Sequence, residues 1–478
     1  MVSDGFGPAS QTYGRSFYQY INNATEGYMS PLDKIFVGTS RTRSSDSLVT
    51  DSAAGATAFA CGIKTYNAAI AVDPERKPCG TILEAAKDLG MLTGIVVTSR
   101  VTHATPASFS AHVIHRDMEA DIAVQQIGDY PLKRQIDLLM GGGRCFFLPN
   151  TTEGSCRTDH RDLIKEGQEL YGWKYVMNNR QDFDQLNNND DDGIPLPALG
   201  LFHQDHMNYE IDRNPEKEPS LSEMAAAALK SLKGNAGTNQ GFFLLIEGSR
   251  IDMAAHNNDP VGHVHDILEY HRTVAVVRDF VNKNPDTLLI STSDHETGGF
   301  TLGFQDDPKT YPEYLWKPEV IKRARASTEV LTARLMEYQG KDRRSFVKDE
   351  ILGPRGLMIS DPTDEELTFL SDPKSLPADI LVFLGHAISR RASLGWTTIG
   401  HTGVDVNIYA DGDNDGFKDL WGNHENTDIG DALIRYLNVD LSYITKRLAK
   451  DAEKWFKSKR DGFWSTSHAR SHHEETGH

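Results

Sequence analysis

Cysteine is scarce, basic charge is outnumbered and no apolar run is long. Four cysteines in 478 residues are too few for cross-links to replace a hydrophobic core. Cys145 and Cys156 flank a short polar loop and could be bridged or free, and nothing in the spacing pairs Cys61 or Cys79. Lys and Arg number 50 against 68 Asp and Glu, a net charge of −18, which argues against a nucleic-acid footprint or an anionic membrane surface. An acidic protein that handles phosphate would need local positive charge, from metals or an arginine. The most apolar runs, "GFFLLIEG" and "DILVFLGHA", are far shorter than the ~20 residues of a transmembrane helix. The opening "MVSDGFGP" holds no signal peptide or anchor and reads as the end of a strand whose start is missing, so a truncated chain is expected. Asn23 in "NAT" and Asn150 in "NTT" are glycosylation acceptors compatible with a secretory route, vacuolar or extracellular.

What is present is an alternation. The runs "MLTGIVVTS", "QIDLLMGGG", "GFFLLIEGS" and "DTLLISTSD" are rich in β-branched residues and are interleaved with helical patterns, which reads as parallel strands with crossover helices. Thr81 to Leu89, closed by Gly90, and Gly262 to Asn282 are two of those helices. The architecture expected is α/β, a three-layer α/β/α sandwich on a large, mostly parallel sheet. Residues 305–384 break the rhythm: the segment is charged and helical, carries no strand pattern before "DILVFLG", and reads as a helical or irregular cap insertion. The "NNNDDDG" tract around Asp190 reads as an exposed acidic loop, and residues 465–478 as a disordered tail whose histidines reflect composition.

Acidic and imidazole side chains recur at the ends of the expected strands, where open α/β sheets place their ligands. "FFLLIEGSRIDMAAH" delivers Glu247, Asp252 and His256, the last two sharing a face if the segment is helical. "LLISTSDHETGG" delivers Asp294 and His295, "GWTTIGHTGVDVNIY" delivers His401, and "MVSDGFGP" delivers Asp4. Singly each is more often a helix cap or a structural histidine. Converging at strand ends, they suit a metal site: carboxylate with imidazole for zinc, all-oxygen for magnesium.

"SLVTDSAAGATAFACGIKT", Ser47 to Thr65, admits two readings. Thr50 or Asp51 caps a helix that ends at Gly62 and leaves Ser52 in its first turn, where free backbone N–H groups favour an anion and small neighbours admit one. Alternatively, the small residues make a tight packing face and Ser52 is incidental. "HATPASFSAHVIHR" adds Thr105 near a strand end and Arg116, a side chain able to grip two phosphate oxygens.

Taken in order, "VTDSAAGATA", "HATPASFSAHVIHR", "IEGSRIDMAAH", "STSDHETGG" and "GHTGVDV" resemble the alkaline phosphatases, most of all the fungal vacuolar type, from Asp4 to about Ile429. The resemblance implies one catalytic domain over residues 1–460 that hydrolyses small phosphate monoesters through a phosphoserine on Ser52, with two zinc ions and one magnesium per subunit in a homodimer. Ser52 matches the nucleophile, Asp51 its neighbour that positions the arginine, and Arg116 that arginine. Asp252, His256 and His401 match the ligands of the first zinc; Asp294 and His295, with Asp4, those of the second; Glu247 and Thr105, again with Asp4, those of the magnesium. His103 stands where bacterial members have Asp, behind the magnesium site. Met253 stands where relatives carry His or Lys, which predicts an altered phosphate affinity.

Two weaker motifs are discounted. "DGDNDGFKDLWG" begins like a calcium loop but has Gly422 at the twelfth position, where a bidentate Glu is needed, and reads as an acidic surface loop. His263 and His265, two apart on a helix, face different ways and do not share a metal. The alternative functions are a phosphodiesterase or sulfatase of the same superfamily, where Arg116 and the magnesium set are out of place, and a non-catalytic metal-binding or interaction protein.

Overall fold

The computed structural model describes residues 1–188, 192–236 and 241–450; the tail 465–478 and the centre of the acidic tract at Asp190 lie outside the described residues. In chain order the strands are β1 (Val2–Ser3), β2 (Phe36–Arg41), β3 (Leu92–Arg100), β4 (Leu138–Gly142), β5 (Tyr175–Met177), β6 (Ala198–Leu201), β7 (Phe242–Gly248), β8 (Leu288–Thr292), β9 (Glu296–Thr297), β10 (His401–Thr402), β11 (Val406–Gly412) and β12 (Gly422–Glu425). Ten of them form one sheet in the order β12-β2-β11-β8-β1-β7-β3-β4-β6-β5, and β9 pairs with β10 in a separate ribbon. Every neighbouring pair in the large sheet is parallel except the two made by β11.

Parallel strands have helices on both faces, so their residues are buried on both. β3 shows it: Val96 packs into one apolar cluster with Met140 and Ile246 beneath the helices Leu221–Asn235 and Pro260–Lys283. Its neighbours Ile95 and Val97 point the other way, into a cluster with Leu139, Leu245 and Phe59 of the helix Ser52–Cys61. The result is the three-layer α/β/α sandwich that the alternation of strand and helix patterns indicates. Loops at the C-terminal ends of β1, β3, β7 and β8 converge near the middle of the sheet, which is where the ligand crevice of such a fold lies.

Between residues 305 and 384 the described elements are helical: Pro318–Arg323, Thr328–Glu337, Arg343–Phe346, Asp364–Ser371 and the start of Pro377–Ala392. "DILVFLG", expected as a strand, belongs to that last helix, whose buried Ile380, Leu381, Leu384 and Ile388 recur at helical spacing. A short apolar run has no period to separate strand from buried helix; Pro377 at the first helical turn was the signal that decides it. Both cysteine pairs are bridged, Cys61 to Cys79 and Cys145 to Cys156. In the Asp411 loop Arg278 binds Asp411 at 2.6 Å and Lys418 binds Asp415 at 3.0 Å, so cations of the chain itself answer its charge. His263 is held by the Ile251 carbonyl and Ser10 Oγ, at 2.9 and 2.8 Å, as a structural histidine.

One buried ion pair lies away from the crevice. His112 Nε2 meets Glu84 Oε1 at 2.8 Å with both side chains fully buried, and the Tyr130 hydroxyl donates to the same oxygen at 2.8 Å. Burial alone would lower the His112 pKa, but the Glu84 charge and hydrogen bond raise it above the ordinary value. A raised value in the folded state means that the pair stabilises fully at pH below about 6.5 and loses its contribution as pH climbs through the raised value. Glu84→Ala removes the acceptor that His112 Nε2 and the Tyr130 hydroxyl share, and is expected to cost about 3–5 kcal/mol in urea unfolding at pH 6. A cost below about 1 kcal/mol would show that the pair does not hold this layer together.

Candidate active site

The helix Ser52–Cys61 begins with Asp51, whose Oδ1 accepts the Ala54 N–H at 3.0 Å, and ends at Gly62 with φ of 67°. The second Asp51 oxygen accepts the Ala68 N–H at 2.8 Å and faces Arg116 Nη1 at 3.3 Å. Capping therefore fixes the carboxylate, and the carboxylate fixes the guanidinium. Ser52 Oγ is buried in the first turn, 3.0 Å from His295 Nε2 and 3.4 Å from Asp4 Oδ1. A Cβ on Gly55 would stand 2.9 Å from the Asp294 Cβ, so the small residues of this helix are what allow it to press against the strand ends.

The acidic and imidazole groups arrive from five directions. Asp4 follows β1, Glu247 ends β7, Asp294 and His295 follow β8, and Asp252 and His256 share a face of the helix Arg250–His256, with His256 Nε2 3.3 Å from Asp252 Oδ2. His401 is carried by β10, and its register against Thr297 of β9 brings it over the same point. Its ring stacks on His295 with centroids 3.5 Å apart. Three overlapping groups have ligand atoms within 4.8 Å of one another: Asp252, His295 and His401; Asp4, Asp294 and His295; Asp4, His103 and Glu247.

These donor sets fit divalent cations on two observations. His256 Nδ1 faces the Ile399 carbonyl at 2.5 Å and His401 Nδ1 faces the Thr50 carbonyl at 2.8 Å. Carbonyls only accept, so each Nδ1 carries a proton, and with both rings neutral, as metal ligands must be, the two Nε2 lone pairs oppose each other across 3.1 Å. That approach calls for a cation between them. Secondly, buried Asp4 Oδ2 and Glu247 Oε1 have no hydrogen-bond partner, which is costly unless a positive ion answers them.

The titration behaviour follows the same charge imbalance. Burial, then the charges of Asp294, Asp252 and Glu247, hold Asp4 well above the carboxylate range, and burial pushes Glu247 up to about 7. For Asp252 burial works upward, but His256 and His401 hold it well below its ordinary value. Burial opposes protonation of His256 and His295, yet Asp252 and Asp294 raise both, while burial and His295 push His401 well down. A proton and a divalent cation therefore compete for the same His256 Nε2, and either answers the negative charge of the carboxylates.

The family-wide pattern for alkaline phosphatase matches residues 1–439. The chain is 50% identical to an alkaline phosphatase of Schizosaccharomyces pombe, over 95% of this chain and 83% of that protein, and 46% identical to the repressible alkaline phosphatase of Saccharomyces cerevisiae, over 93% and 81%. The chain belongs to the alkaline phosphatase family. Among solved structures, the cold-active alkaline phosphatase of Shewanella sp. superposes with a TM-score of 0.75 at 32% identity, covering 91% of this chain and 98% of that one. The alkaline phosphatase of Thermus thermophilus also gives 0.75, at 27% identity, over 92% and 90%. The protein is therefore a phosphatase, of a family that works with divalent metal ions.

All twelve residues singled out from the sequence gather around this alkaline phosphatase crevice. Thr105 sits beside Glu247, and its hydroxyl lowers that carboxyl. Arg116 lies in a turn ahead of the helix Glu119–Ile127, and its second Nη meets His103 Nε2 at 3.0 Å. Sequence reasoning missed Thr297, whose hydroxyl contacts Asp252 Oδ1 and, at 3.2 Å, His295 Nδ1, tying two of the metal groups together. It lay inside the quoted "SDHETGG", read only for its Asp and His. It also missed Arg100, Arg250 and His206, which line the same cavity of about 700 Å³; nothing in their local sequence sets them apart. Gly55→Val is expected to displace Asp294 and cut bound divalent metal, read by elemental analysis, with a turnover loss of roughly 10²-fold. Full metal content and full turnover would return this helix to a packing role.

Proposed function

We propose that this alkaline phosphatase hydrolyses phosphate monoesters through a phosphoserine on Ser52. The observation that carries the reading is the position of Ser52 Oγ: buried at a capped helix start, 3.0 Å from His295, and open to the same cavity as Arg116. Ser52 Oγ loses its proton to solvent and forms a bond to phosphorus as the ester P–O bond breaks, and the departing alkoxide takes a proton back from solvent, so the transfer is proton-neutral. A water molecule then attacks the phosphoserine, which restores the serine hydroxyl and releases inorganic phosphate. Asp252, His256 and His401 would hold one zinc, Asp294, His295 and Asp4 a second, and Glu247, Thr105 and Asp4 a magnesium, with His103 behind it. Divalent ions bound there supply Lewis-acid polarisation and a lowered pKa for bound oxygen.

The chain's own groups provide the positioning that phosphoryl transfer mostly consists of. Asp51 and His103 brace Arg116 from two sides, so its guanidinium is oriented before an anion arrives. The N-terminal N–H groups beyond Ser52 add the helix dipole. Met253 lines the cavity with a thioether that accepts from Arg250 at 3.1 Å and adds no positive charge, which supports a looser hold on phosphate than a Lys or His there would give. A secretory route is supported by the two disulfides and by exposed Asn23 and Asn150; the homodimer rests on family resemblance.

A chromogenic monoester assayed at alkaline pH with zinc and magnesium should be turned over, with a phosphate diester and a sulfate ester as far poorer substrates. Chelation should abolish the activity, and Ser52→Ala should lower it by roughly 10⁴-fold or more. Acid quenching should trap phosphate on Ser52, detectable by peptide mass spectrometry. Undiminished turnover by Ser52→Ala would sink the mechanism.

A further inference from the structure

The mouth of the crevice is apolar on one side. Its cavity is lined there by Val49, Met253, Met336, Pro377, Leu381 and Ile399. Several large apolar side chains at or beside this lining are open to solvent: Met336 and Ile399 at 41%, Leu376 at 63% and Leu48 at 78%. Val404, 48% exposed, follows Gly403, at whose Cβ position the Leu48 carbonyl lies 3.4 Å away. Scattered single apolar residues on a surface mean little, but a contiguous set around a binding cleft marks a ligand surface. The cap supplies much of this set, because Met336 belongs to the helix Thr328–Glu337 and Leu381 to the helix Pro377–Ala392. That cap wall is tied to the metal-ligand helix: Arg250 reaches Glu329 with both oxygens engaged, at 2.7 and 2.8 Å. The same cavity is also lined by Arg100, Arg116, His103 and His206.

In an in-line displacement the leaving oxygen lies opposite the nucleophile. Ser52 is at the floor, 1% exposed, so the leaving group points out through the mouth and across this rim. We propose that the rim is a leaving-group subsite, and that the enzyme discriminates in favour of phosphate monoesters with an apolar alkyl or aryl leaving group over small polar ones. The proposal rests on the monoesterase reading above. Phosphoryl and leaving group are then recognised by different chemistry: charge at Ser52 and Arg116, apolar burial at Met336 and Ile399.

The test uses ethyl, butyl and hexyl phosphate on the zinc- and magnesium-loaded enzyme, because their alcohols have nearly equal pKa values and differ in apolar length. One fully buried methylene is worth about fourfold in kcat/KM, so half-burial of the four extra methylenes predicts a hexyl-to-ethyl ratio of roughly tenfold or more. Met336→Ser combined with Ile399→Ser, at two partly exposed positions, should bring that ratio below about threefold, and Met336→Leu with Ile399→Val should restore it. The ratio does not depend on the fraction of active enzyme, so partial misfolding of a variant does not imitate the effect. A ratio near one in the unaltered enzyme, as when a second copy of the chain covers the rim, overturns the proposal. So does a high ratio that the serine pair leaves unchanged. Failure to hydrolyse any of the three overturns the monoesterase reading itself.

Discussion

Four carboxylates, Asp4, Glu247, Asp252 and Asp294, are buried within one small volume at the C-terminal ends of the central strands. Like charges at such distances cannot all remain ionised in a dry interior. The sheet brings them together regardless, because strand order places β8, β1 and β7 side by side, and each loop that follows carries an acid. The stability of this layer therefore depends on positive charge arriving from elsewhere. Much of the surrounding detail, from histidine tautomers to the capping of the Ser52 helix, serves that requirement.

The histidines illustrate how closely the backbone is involved. His256 and His401 stand 145 positions apart, yet each gives its Nδ1 proton to a main-chain carbonyl and turns Nε2 inward. Those carbonyls belong to Ile399, two residues before His401, and to Thr50, two residues before Ser52. The loops that supply the chemistry thus also orient one another. Thr297 does the same between Asp252 and His295. Removing charge at the centre would leave these polar groups facing each other with nothing to bind.

Fold and site differed in how far the sequence disclosed them. Strands such as β3 and β8 were legible because burial on both faces forces continuous β-branched runs. Asp and His residues just past those runs were legible as a pattern, and five ordered motifs identified the family behind it. "DILVFLG" was not, since a buried helix is as apolar as a buried strand and only the Pro377 start differs. Nor was the Cys61–Cys79 bridge, because pairing is a fact of three-dimensional proximity. Arg250, Arg100 and His206 were illegible for the same reason: their meaning comes from the cavity they share, which no local pattern encodes.

The two readings of the Ser52 helix, packing and the proposed catalysis, make the same demand on its residues. Ala53 packs among Ile70, Ala104 and Ala107, while Gly55 lies against Asp294 on the metal side. A larger residue on the first face would lift the helix from the segment that carries Thr105; one on the second would push a carboxylate out of the metal groups. In the proposed mechanism the helix start must sit this low, because Ser52 Oγ then lies about 3 Å from His295 while the first N–H groups face the phosphate. On that proposal close packing is the means by which Ser52 is positioned as the nucleophile, and the run of small residues sets the depth at which it lies.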